Sequence, residues 1–325
     1  INREDLKEFT DKAVAAMVDF SSRLTGDREK LSTKFNEIIE ILIESDVWAE
    51  SADEELVSAD SVKKAIKEKE RRSNLLEEKI QDEIDRGHLI LDVSGTEIGQ
   101  INGLSVYQAG NYRFGRPARI TARSYLGKEG VVNIEREAKM SGRIHSKGIM
   151  ILTGYLGGKY AQESPLSLTA SIAFEQSYGG VDGDSATCAE VVSLLSSLTE
   201  IPVRQDIAIT GSMNQKGVVQ PIGGVNEKIE GFYKVCKAKG LSGEQGVIIP
   251  ELNLDNLMLD EEIIEAVKNG DFNLYSIEDI DEALEIMLDK SAEEIHRSAK
   301  EKLEEFAEKE NEEETNGDEN NEEDN

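Results

Sequence analysis

Two cysteines, three histidines and a deficit of basic residues limit what this 325-residue sequence can do. Cys188 and Cys236 lie far apart with no paired spacing, so neither a disulfide framework nor a zinc site is implied. A reducing, cytoplasmic setting is the default expectation for such usage. No His-Glu-x-x-His or paired-cysteine pattern occurs, which argues against a protein-ligated catalytic metal. His296 lies near the tail, and His88 and His145 have no characteristic spacing to a carboxylate, so surface or structural roles are expected for those two. Lysine and arginine number 37 against 66 aspartates and glutamates, a formal charge of −29. Nucleic acid and anionic membranes select basic surfaces, so neither is expected as a partner. No apolar run nears the ~18 residues of a spanning helix. The sequence starts at Ile1 with no signal-peptide pattern, and reads as the C-terminal portion of something longer. Any targeting signal is then expected in the missing part.

What is present divides into three stretches. Residues 1–86 carry helical periodicity throughout: Leu31, Phe35, Ile38, Ile39, Leu42 and Ile43 recur at three and four, and Ser58-Ala-Asp-Ser61 opens a further helix. Residues 87–290 read as an α+β domain. Strands are expected at His88–Val93, Ile98–Tyr107, Arg119–Tyr125, Val131–Ile134, Lys147–Leu152, Ile207–Thr210, Val218–Ile222, Gly246–Pro250 and Phe272–Tyr275. Helices are expected at Leu166–Glu175, Ala186–Leu198, Asn226–Lys239 and Ile277–Leu288. Residues 291–325 hold 15 acidic residues against 4 basic ones. Helix is expected to about Phe306, and the Asn/Glu/Asp run beyond reads as a disordered acidic tail, since it has too little apolar area to offset ordering.

Gly179-Gly-Val-Asp-Gly-Asp-Ser-Ala186 is a glycine-rich turn that delivers Ser185 to the start of a helix. Unpaired N–H groups and the positive end of the dipole gather there. The position suits an N-cap, an anion site, or a nucleophile whose attack creates an oxyanion. A serine nucleophile needs a base, and with no placed histidine the next option is a neutral lysine. Lys228, in Gly223-Gly-Val-Asn-Glu-Lys-Ile-Glu-Gly231, falls in the first turn of a helix between apolar neighbours. Burial and the helix terminus would both lower its pKa; an ordinary snorkelling lysine is the competing reading. Cys188 is expected to pack as a small buried side chain rather than to act as a nucleophile. Gly154-Tyr-Leu-Gly-Gly-Lys-Tyr160 has the wrong spacing for a phosphate loop, so no nucleotide site is expected within these residues.

Gly180-Val-Asp-Gly-Asp-Ser-Ala186 and Pro221-Ile-Gly-Gly-Val-Asn-Glu-Lys-Ile229 together resemble the two active-site motifs of the Lon protease family. The Asp-Gly-Asp-Ser-Ala form resembles its B-type branch. The resemblance extends over about residues 87–288 and implies Ser185 as nucleophile, Lys228 as general base and Thr210 as the threonine that orients the lysine amine. Asp182 matches an acidic position that would order the loop or contact the lysine. Residues 1–86 would be the lid end of an ATPase module whose ATP and Mg2+ site lies upstream of Ile1. The resemblance further implies a homohexamer that degrades unfolded or regulatory proteins. An ATP-independent peptidase of the same fold and a non-catalytic, client-holding module are the rival readings.

Overall fold

The computed structural model describes residues 6–162 and 165–322, with side chains as far as Glu312. Four helices lead: α1 (Asp11–Arg23), α2 (Phe35–Ser51), α3 (Ala59–Ser73) and α4 (Leu75–Asp85). Thr10 caps α1 by accepting the Ala13 N–H at 3.2 Å, and Ser58 caps α3 by accepting that of Ser61 at 3.2 Å. The first three close on a small core built from Ala13, Met17, Ile41, Val57, Val62 and Ala65.

A mixed sheet follows. The short β1 (Thr96–Glu97) precedes the long hairpin of β2 (Gln100–Ala109) and β3 (Tyr112–Leu126), turned by Gly110-Asn111 with Gly110 at φ +62°. Next come β4 (Gly130–Asn133), α5 (Ile134–Glu137), α6 (Arg143–Tyr160), β5 (Leu168–Phe174) and α7 (Thr187–Thr199). Then β6 (Val203–Arg204), β7 (Ile207–Ile209), β8 (Ser212–Met213) and β9 (Val219–Gln220) lead to α8 (Val225–Lys239). Strand β10 (Gly246–Pro250), α9 (Glu261–Asn269), β11 (Asn273–Ile277), α10 (Ile280–Leu288) and α11 (Ala292–Glu322) complete the chain. The seven-stranded sheet runs β11-β10-β7-β2-β3-β5-β4. Strands β11, β10, β7 and β2 are parallel, β3 is antiparallel to both of its neighbours, and β4 pairs parallel with β5.

Because side chains alternate along a strand, the sheet sends two different sets into two cores. Ile207, Ile209 and Ile248 join α7, α10 and the start of α11 on one face. Ala208, Val247 and Ile249 join α8 and α9 on the other. The helix that follows Ser185 and the helix that carries Lys228 therefore lie on opposite faces of the sheet.

Several expectations are corrected. Lys147–Leu152 lies inside helix α6, and Leu166–Glu175, expected as helix, contains strand β5. The apolar run of the first is too short to distinguish the two states, but its buried residues Ile149, Leu152, Tyr155 and Leu156 follow helical spacing. Strand β5 is paired on both sides, so its residues need not alternate with solvent. His88–Val93 forms no strand: it buries Leu91 and Val93 beside α8 while its carbonyls accept from side chains, Leu91 from Lys239 and Asp92 from Asn102. The stretch set apart from residue 291 begins with a packed helix: α11 buries Ile295, Ala299, Leu303 and Phe306 in the core around α7. Residues 323–325 of the expected tail lie outside the described residues. Among the described residues, no helix is long and apolar enough to cross a membrane.

Candidate active site

Ser185 and Lys228 meet at the carboxyl end of β7, where the chain passes from Ile209 to Thr210. Crevices at strand carboxyl ends are where open α/β sheets hold their ligands. The loop before α7 is pinned at several points. Val181 exchanges main-chain bonds with the Met140–Gly142 segment, at 2.9 and 2.8 Å. Thr187 turns back through both its N–H and its hydroxyl onto the Asp184 carbonyl, at 3.1 and 2.7 Å. The Ser185 carbonyl accepts from Gly211 N–H at 2.8 Å and from the Thr210 hydroxyl at 3.2 Å. The cap of α7 is Ala186, with no side-chain capping bond. Ser185 stands one residue before that cap, so the N-capping reading of this serine fails. Among the described residues, the N–H groups of Asp184, Ser185 and Ala186 have no acceptor.

Lys228 approaches from the other face. Gly224, at φ +70°, turns the chain into α8, and Lys228 N–H bonds its carbonyl at 3.0 Å. What brings the helix close is a pair of glycines that sequence reasoning missed. A methyl at Gly115 on β3 would sit 1.8 Å from the Glu227 carbonyl, and one at Gly231 would sit 2.3 Å from the Gly115 carbonyl. Backbone thus packs directly on backbone beneath Lys228, which is 3% exposed.

Its amine donates to Ser185 Oγ at 2.8 Å and to Thr210 Oγ1 at 3.0 Å. Thr210 is fully buried and supplies an oxygen, not a charge. Burial pushes the Lys228 pKa down to about 8, and Arg113 assists, while Glu227 and Asp184 act in the opposite direction. The positive end of α8 favours the neutral amine further. A buried lysine that titrates near neutrality and touches a hydroxyl can take a proton from it.

Asp182 is placed elsewhere. Its Oδ1 accepts from the N–H groups of Ile144, His145 and Gly183 at 3.0, 3.2 and 2.9 Å, and these bonds hold its carboxyl below the usual range. It ties the loop to the start of α6 and does not contact the lysine. Cys188 is buried, and burial pushes its thiol far up. His88 is exposed beside Glu83, and His296 bonds Tyr160 and Asp281. His145, expected to be surface or structural, is 1% exposed behind the serine loop.

Comparison with known proteins bears on this geometry. Residues 177–290 match the Lon protease (S16) C-terminal proteolytic domain, and residues 8–72 match the archaeal LonB AAA+ ATPase LID domain. A putative Lon protease homolog of Escherichia coli K12 is 40% identical over 270 residues, covering 82% of this chain and 46% of that protein. Its counterpart in Haemophilus influenzae is 39% identical over 267 residues, with 82% and 44% covered. The archaeal Lon protease of Thermococcus kodakarensis is 28% identical over 302 residues, with 87% and 42% covered. The chain thus spans less than half the length of these relatives. With both motifs, the proteolytic-domain match and the LID match in one order along it, the chain belongs to the Lon protease family.

Proposed function

We propose that this chain is the proteolytic portion of a serine endopeptidase in which Ser185 is the nucleophile and Lys228 the general base. The supporting observation is the buried Lys228 amine 2.8 Å from Ser185 Oγ, bonded to hydroxyls alone. Neutral Lys228 takes the Ser185 proton as Oγ bonds to the peptide carbonyl carbon, and the carbonyl electron pair moves onto oxygen. The unclaimed N–H groups of Asp184, Ser185 and Ala186 are the candidates to receive that oxyanion. Collapse breaks the C–N bond, and the lysine ammonium returns its proton to the leaving amine. Neutral again, Lys228 deprotonates a water that attacks the acyl-enzyme. Collapse of this second oxyanion breaks the acyl C–O bond, and Ser185 recovers its proton. Thr210 orients the amine, and Asp182 orders the loop without touching the reacting atoms.

ATP dependence belongs to the same proposal. The nucleotide would not bind here: Gly154–Tyr160 lies within α6, where its N–H groups serve the helix. We assign ATP and Mg2+ to sequence outside these residues, the support being the LID match at 8–72. A cytoplasmic homohexamer acting on unfolded or regulatory proteins completes the reading. Cleavage of casein or an unstructured peptide by the full-length protein, with and without ATP, tests it. Ser185→Ala and Lys228→Met should each lose at least about 10³-fold in kcat. Full cleavage without nucleotide would favour the ATP-independent alternative, and cleavage by a contaminant-free Ser185→Ala preparation would sink the dyad.

A further inference from the structure

Behind the serine loop lies a buried polar cluster that the proton transfer itself does not use. His145 stands in the first turns of α6, and Glu190 in the first turn of α7, where the neighbours Val191, Val192, Leu194 and Leu195 are fully buried and apolar. Neither Glu190 oxygen has a hydrogen-bond partner, and the group lies 3.7 Å from the His145 Nε2. A carboxyl buried without a partner costs stability, so its presence here calls for a reason beyond packing.

The network fixes the imidazole's tautomer. Asn133 Oδ1 accepts the Arg136 N–H at 2.8 Å, which sets the direction of the amide. Its Nδ2 therefore donates to His145 Nε2, at 3.2 Å, and makes that nitrogen the acceptor. The same amide reaches Glu135 Oε2 at 3.2 Å, and Glu135 Oε1 accepts from Phe174 N–H at 2.7 Å. Burial favours the neutral ring, whose one proton then sits on Nδ1; Glu135, Asp182 and the Gly183 backbone pull toward the charged form. Burial also pushes Glu190 up to about 8, with Glu135 adding to the effect. The His145 N–H donates to Asp182 Oδ1 at 3.2 Å, and the Ile144 N–H to the same oxygen at 3.0 Å, so the start of α6 holds the turn that leads to Ser185. Gly183, at φ +95°, is a permissive joint two residues before Ser185.

We propose that His145 is a positioning residue for Ser185: Asn133 fixes its ring, with the Glu190 carboxyl packed 3.7 Å from it, and the α6 start so fixed holds Asp182 and the turn before Ser185 through the N–H groups of Ile144 and His145. This rests on the Ser185–Lys228 reading. A serine displaced by about an ångström loses its line to the lysine amine and the substrate carbonyl, and misplacement on that scale costs up to about 10²-fold.

The test uses the full-length protein, a fluorogenic unstructured peptide, and labelling of Ser185 by a fluorophosphonate. His145→Phe keeps the ring volume and removes both nitrogens. It should lower kcat about 10- to 100-fold with KM within about twofold. Labelling should slow by the same factor, with an unchanged pH midpoint because Lys228 is untouched. Glu190→Leu should lower kcat about three- to tenfold with a Tm no lower than wild type, since an unpaired carboxyl is replaced by an apolar isostere. A folded His145→Phe protein labelled at the wild-type rate, or a loss confined to KM, would overturn the proposal. Should His145→Phe fail to fold, Glu190→Leu decides: wild-type kcat, or a kcat that falls only with Tm, refutes it. Ser185→Ala keeps the two readings apart, because activity in that variant defeats the dyad whatever His145 does.

Discussion

Helix α8 carries two buried ionisable groups two residues apart, and their surroundings differ. Lys228 faces the serine loop and bonds hydroxyls only. Glu230 faces the helical region, where Arg23 donates to its Oε2 at 2.7 Å and also to the Met258 carbonyl at 2.7 Å. Burial is the larger influence on both, pushing the lysine down to about 8 and the carboxyl up to about 7. At Glu230 a counter-charge opposes that push, although its Oε1 has no partner. At Lys228 the two carboxylates that would restore its charge, Glu227 and Asp184, form no bond with it. The paired end joins two parts of the fold; the unpaired end leaves beside a hydroxyl an amine that gives up its proton near pH 8. One helix thus separates a structural charge from a reactive one.

Gly115→Ala should disturb both ends at once. Its methyl would sit 1.8 Å from the Glu227 carbonyl, so α8 must lift from the sheet. We expect a loss of about 3 kcal/mol or more in denaturant unfolding, at the upper end of overpacking costs. Peptidase activity should fall with it.

Arg23→Met should cost about 2–3 kcal/mol near pH 8 by leaving an ionised Glu230 alone. The folded Glu230 pKa is raised, so its carboxyl is protonated in both states at low pH. The cost should therefore shrink as pH falls through about 7, the folded Glu230 value, which unfolding curves at pH 5 and 8 would reveal. Lys228→Met should act in the opposite sense. A folded pKa of about 8 against 10.5 means that the wild type carries the penalty of a buried cation below about pH 8 and loses it above 10.5. The inactive variant should then be more stable at pH 7, by on the order of 2–3 kcal/mol. A lower melting temperature for Lys228→Met would break the contrast between the two ends. Thr210→Val has the smallest expected effect, about a tenfold loss in kcat from one missing hydrogen bond, with KM little changed.

Much of this arrangement was legible in the sequence because it is local. The bounds of β10 match to the residue, and α7 and α8 lie within one or two residues of expectation, since caps, glycines and periodicity lie along the chain itself. The glycine turns left Ser185 and Lys228 among several readings, the resemblance to the two Lon motifs singled them out, and the structure brings both to Thr210. The misses are non-local. Whether Lys147–Leu152 is helix depends on what it packs against, and a short apolar run does not encode that. Gly115 and Gly231 matter only because two elements 116 residues apart touch there. The Asn133, His145 and Glu190 cluster joins three elements and has no spacing signature.

The central claim is that Lys228 is a base whose proton is lost near pH 8, far below a free lysine, and the pH dependence of Ser185 labelling by a fluorophosphonate tests it directly. The account predicts a rate that rises with pH to a plateau, with a midpoint near the lysine value of about 8, and loss of that titration in Lys228→Met. A midpoint near that of a free lysine, about 10.4, or an unchanged profile in Lys228→Met, would contradict it.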